Sequence, residues 1–141
     1  MSTDNQRGFP SKAPIAPGDR MDDGTIFAGI SPDTGKPMYT TPADAPLTLS
    51  FNAARQFTSE LEDSGHGDWR IPTKRELITL WQNRDKGALK GTFNLTREGA
   101  AGWYWSSTEV NDYIDTWVQR FSDGNLDGDA EHYDCSLRCV R

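Results

Sequence analysis

"SDGNLDGDAEHYD", residues 122–134, fits the calcium-loop template D-x-[DN]-x-[DN]-G-x5-E: Asp123, Asn125, Asp127 and Gly128 match, and Asp134 stands where the bidentate Glu belongs. Such a loop needs a helix on each side. With helical flanks the chain is a helix-loop-helix cation binder. With extended flanks the same Asp-Gly and Gly-Asn steps are ordinary β-turn chemistry.

The preceding "TWVQRF" alternates Trp117, Gln119 and Phe121 against Val118 and Arg120, with no cap and no helical stripe. The following "SLRCVR" and the earlier "WYWSS" are short, aromatic or β-branched, and bounded by turn-rich segments. The flanks are therefore predicted to be strands, and the C-terminal third a β-meander or similar with long loops. Calcium held by Asp123, Asn125, Asp127, Asp129 and Asp134 remains a subsidiary reading.

Upstream, "DGTIFAGISPDTGKPMYTT" carries a turn at Pro32-Asp33-Thr34-Gly35 between two short apolar runs, predicting a hairpin with strands near 25–30 and 36–40. It is not a phosphate loop. Five residues separate Gly29 from Gly35 where a Walker A loop has four, and Pro37 replaces the Ser/Thr metal ligand. Helical spacing of Phe51, Ala54, Phe57 (or Thr58) and Leu61 after the cap residue Ser50 predicts a helix over 50–62. A second helix is predicted from the capping-box pair Thr73 and Glu76 to about Arg84, burying Leu77, Leu80 and Trp81. "KGALKGTFNLTREGAAG" reads as a loop packed by Phe93 and Leu95. Residues 1–18, rich in Pro, Ser, Gly and charge, read as a flexible lead-in to one domain over 19–141.

With five Trp, six Phe and four Tyr, the core is predicted to be aromatic. The formal charge of −6 and the lack of any Lys/Arg run argue against nucleic acid as partner. No stretch approaches the roughly 18 apolar residues of a membrane span, and the first residues carry no apolar signal-peptide region, so neither membrane insertion nor classical secretion is expected. Cys135 and Cys139 would sit roughly 13 Å apart on an extended chain at about 3.3 Å per residue, beyond disulfide reach, and are expected to be free. His66 and His132 lack the paired spacing of a zinc site and read as surface histidines.

Taken in order, "GDWRIPTKREL", "GWYWSSTE", "FSDGN" and the terminal "RCVR" resemble the bacterial domain family typified by the C-terminal domain of the collagen-like adhesin Lcl, within the wider C-type-lectin-like fold that formylglycine-generating enzymes share. "DGTIFAGISPDTGKPMY", "GALKGTFN", "GWYWSSTE", "QRFSDGN" and "RCVR" are similar, within that group, to variable proteins of diversity-generating retroelements. The resemblance covers about residues 24–141. It implies an α+β, C-type lectin-like fold, with two helices packed on short antiparallel sheets with long loops. It also implies that a reverse transcriptase rewrites adenine positions in the last part of the gene, varying exposed residues within about 104–136.

The ligand-binding surface expected on that basis comprises Asn111, Asp112, Tyr113, Ile114, Asp115, Asp127, Asp129, Glu131, His132, Tyr133, Asp134 and Ser136. These types are largely reachable from Asn codons through their two adenines, and Tyr, Ser, Gly and Asn are residues that paratopes use. Trp105, Trp117 and Tyr113 could anchor a ligand if exposed, whereas Trp69, Trp81 and Trp103 are expected in the core. Residues 109–136 hold eight acids against Arg120 alone, seven net negative charges that favour a basic or neutral protein partner or other macromolecular ligand. Anionic glycans, associated with the adhesin's domain, would be repelled. No cofactor is expected and no enzymatic activity: Cys135 and Cys139 are too widely spaced to form a shared copper-thiolate site, and no Ser-His-Asp set or His-Glu-x-x-His stretch occurs.

Overall fold

The computed structural model describes residues 13–111, 115–131 and 133–141. Its α+β architecture begins with the hairpin β1 (Ile26–Ile30) and β2 (Pro37–Thr40), followed by α1 (Phe51–Glu60) and α2 (Lys74–Gln82). Three antiparallel strands follow, β3 (Trp103–Glu109), β4 (Asp115–Arg120) and β5 (Leu126–Ala130), ordered β3-β4-β5. No helix among the described residues is long and apolar enough to cross a membrane.

Both helices start where their caps dictate. Ser50 Oγ accepts from the Ala53 amide, and Thr73 and Glu76 close a reciprocal capping box that satisfies two otherwise orphaned amides. Phe51, Ala54 and Thr58 form the buried stripe of α1, while Phe57 and Leu61 are only half-buried. α2 ends at Gln82, and Asn83 donates 2.8 Å to the Ala28 carbonyl, tying the helix end to β1.

The three-stranded sheet divides the core. Its register sets Trp105 opposite Val118 and Asp127, and Tyr104 opposite Gln119 and Leu126, so alternate residues look to opposite sides. Trp105 and Val118 face a cluster with Phe51, Ala54, Trp69, Ile71, Leu137 and both cysteines. Tyr104 faces the other cluster, with Ile26, Met38, Leu77, Leu80, Phe93 and Phe121. The C-terminal segment holds the parts together. Val140 bridges to Thr40 on one side and Arg70 on the other, Cys135 pairs with Leu49, and Ser136 lies parallel to Tyr104. Within it, Arg138 is fully buried, its Nε 2.9 Å from Asp44 Oδ1 and its Nη2 donating 2.5 Å to the Thr92 carbonyl.

Several expectations need correction. "LDGDA" forms strand β5, although its composition reads as turn; the ladder to β4 imposes the extended backbone. Trp105, considered as an exposed anchor, is completely buried, with Nε1 donating 2.7 Å to the Leu49 carbonyl. Trp81 and Trp103 are half-buried rather than central, and Trp69 alone of the three expected core tryptophans is fully enclosed. Leu95 is exposed, and its loop is packed by Leu89 and Phe93 instead. Of the expected lead-in, residues 1–12 lie outside the described residues, and its last residue, Gly18, donates its amide to Phe27 and accepts at its carbonyl from Ala88.

Candidate functional site

The turn between β4 and β5 is built by local polar groups. Asp123 accepts from the Asn125 amide at 3.0 Å and from Arg120 Nε and Nη2 at 3.1 and 2.5 Å; these bonds, the Arg120 one foremost, hold its carboxyl at about 2. Asp127 accepts from the Gly128 amide at 2.8 Å. The geometry of the described residues lends the calcium reading no support. Strands flank the turn, Asp123 is engaged by arginine, and no three His, Cys, Asp or Glu side chains among the described residues converge on a cation position.

The strand register groups most of the remaining expected ligand residues. Asp127 and Asp129, opposite Val118 and Thr116, look to the same side of the sheet as Trp105, at its outer strand β5. Asp127 is exposed, and Asp129 is half-buried with the Cys135 thiol directed at its Oδ2 at 3.6 Å. Burial, reinforced by that carboxylate, pushes the Cys135 thiol well above its ordinary range. Glu131 accepts from Thr116 Oγ1 at 2.7 Å, and its carbonyl accepts from the Phe51 amide, pinning the strand exit to the first residue of α1. Tyr133 and Asp134 follow, both exposed. Asn111, with φ 55°, is exposed at the far end of β3, and Asp115 is half-buried at the start of β4.

Ser136 does not belong to this surface. It is buried, its hydroxyl donating 2.6 Å to the Ala101 carbonyl. Asp112, Tyr113, Ile114 and His132 lie outside the described residues. Trp117 looks to the opposite side of the sheet from Trp105, half-buried under Lys74 Nζ at 3.6 Å.

Beside the acidic edge lies a feature that the sequence reading missed. An open groove of about 620 Å³ runs between α1, residues 69–73 and the end of β3. Phe51, Trp69 and Ile71 give it an apolar floor; Arg55, Arg70 and Glu109 stand at its rim. The Arg70 guanidinium is oriented by Glu76, so its charge is partly answered from below. The only trace in the sequence is the "DWRIP" stretch, whose groove neighbours come from segments far away in the chain.

Residues 32–141, which contain both helices, the three-stranded sheet and all the residues that line the groove, match the family model described as the Lcl C-terminal domain. The chain belongs to that family. No curated protein sequence matches it. In this Lcl C-terminal domain the matched region includes every described residue of the acidic edge, together with the buried Ser136–Val140 frame behind it.

Proposed function

We propose that this Lcl C-terminal domain is a non-catalytic ligand-display module of C-type lectin-like type, and that it is the variable protein of a diversity-generating retroelement. The observation that carries the reading is a division of labour along the last strands. Asp127, Glu131, Tyr133 and Asp134 reach solvent to differing degrees, while Trp105, Val118, Leu137 and Val140 in the core are at most 2% exposed. Substitution at the first set is expected to leave the second in place, which is what a diversified surface requires. The two helices, the small antiparallel sheets and the long connection from α2 to β3 support the lectin-like reading.

The partner proposed is a basic or neutral protein, attracted by the acids of β5 and the residues that follow. The non-catalytic reading is supported by the two cysteines, both enclosed at 0% and 2% exposure and thus poorly placed for thiolate chemistry.

Deep sequencing of codons 101–141 across a population of the source organism tests this reading. Substitutions concentrated at adenine-derived positions in 110–134, with "WYWSS" and "RCVR" constant, are the expected result. An invariant tail would overturn it in favour of a second reading, a fixed-specificity adhesin or glycan binder. The groove favours that alternative, since an apolar floor with a mixed polar rim suits a single ligand.

A further inference from the structure

We infer that the groove beside α1 receives one bulky apolar side chain of the ligand, presented by a basic segment whose cations lie along Glu109, Asp129 and Glu131. The inference rests on the display reading and specifies how such a ligand is held. The groove volume of about 620 Å³ lies inside the range of roughly 300–1,000 Å³ common to ligand sites. Its floor residues Phe51, Trp69 and Ile71 are fixed by the core beneath them, so an inserted ring or aliphatic chain meets a rigid apolar surface. Interface energy concentrates in such enclosed anchors, with charged groups at the rim setting approach and orientation.

The charge around the groove selects the ligand's flanks. Glu109 lines the groove, and the register places Thr116 beside it and Asp129 beyond, all on one side of the sheet. Glu131 joins the row through its bond to Thr116, and its carbonyl contacts the amide of the floor residue Phe51. The row therefore runs from the groove to the acidic edge, and a segment with an apolar residue in the groove places its neighbours along it. Arg55, on the α1 wall, disfavours the reversed placement by like-charge repulsion. Because Phe51, Arg55, Trp69 and Ile71 precede the residues proposed to vary, all variants would share the anchor and differ in the acidic row.

The probe is the acetylated, amidated tripeptide Lys-Trp-Lys, titrated into the ¹⁵N-labelled full chain and followed by amide chemical shifts. Saturable shifts at Phe51, Arg55, Ile71 and Ser107 are expected, with affinity at least tenfold above that of Lys-Ala-Lys and of Glu-Trp-Glu. Ser107→Phe, and independently Ser59→Phe on the opposite wall, should abolish the groove shifts while leaving the rest of the spectrum in place; both serines are exposed. Equal affinity for Lys-Ala-Lys, tighter binding of Glu-Trp-Glu, or shifts confined to 127–134 would overturn the inference. Those outcomes leave the display reading standing. An invariant tail in the population would remove that reading without altering the titration.

Discussion

Glu76 takes both terminal nitrogens of Arg70, Nη1 at 2.5 Å from Oε1 and Nη2 at 2.8 Å from Oε2, with its side chain fully buried. The same carboxylate accepts from Ser31 Oγ at 2.6 Å and from the Thr73 amide at 3.0 Å. One side chain thus joins the hairpin turn, the start of α2 and the groove wall. Removing it leaves several donors without an acceptor, so Glu76→Ala is expected to cost about 3–5 kcal/mol in urea melts. A loss below about 1 kcal/mol would count against this assignment.

Acid stability follows from the same group. Burial acting alone would raise the Glu76 carboxyl, but the bonds from Arg70, Ser31 and the Thr73 amide hold it at about 2, from an ordinary 4.5. A carboxyl depressed on folding stabilises the fold above its unfolded value, and that contribution is lost as pH falls through the folded one. Melting temperature should therefore drop as pH falls from about 4.5 to about 2. Glu76→Gln should flatten that part of the profile; an unchanged slope would assign the acid sensitivity elsewhere.

Gly124 has φ 81°, and a Cβ there would come within 2.4 Å of the Trp81 ring. Gly124→Ala combines left-handed backbone strain with overpacking, about 2–4 kcal/mol in total. Gly35, φ 72°, has open space around it, so Gly35→Ala should cost only the backbone part, about 1 kcal/mol. Equal losses in parallel denaturation curves would refute the Trp81 contact.

Trp105→Ala opens a cavity in a fully enclosed site and should cost about 3–5 kcal/mol. Asp127→Ala, at an exposed position whose side chain accepts from its neighbour's amide, should stay within about 0.5 kcal/mol. Comparable losses for the two would be incompatible with a frame that tolerates surface variation.

Both thiols are shielded. Burial raises Cys135 and Cys139 above their ordinary range, although the Thr58 hydroxyl beside Cys139 partly offsets this. Native protein should react slowly with a disulfide reagent, and two thiols should appear on denaturation. One rapidly titrating thiol in the native state would contradict the packing.

Elements governed by local chemistry were legible in the sequence. Ser50 and the Thr73–Glu76 box located both helix starts because caps act within four residues. Alternation identified β3 and β4 but not which face was inside, which depends on distant partners; Trp105 and Trp117 were therefore treated alike although only Trp105 is enclosed. β5 was hidden because Asp127, Gly128 and Asp129 have little intrinsic strand preference and take their conformation from pairing with β4. The groove was hidden because Phe51, Trp69 and Glu109 meet only after folding.

The strap formed by Ser136 to Arg141 also governs when the molecule can fold. Thr40 and Val140, bridged to each other, lie at opposite ends of the domain's sequence, as do Leu49 and Cys135. Neither partner can satisfy the other until the ribosome has released residue 140, so this domain stays open until that segment has emerged. Such long-range closure gives high contact order and slow collapse relative to a helical domain of similar size. The exposed aromatic segments of the nascent chain are then the period of greatest risk of aggregation.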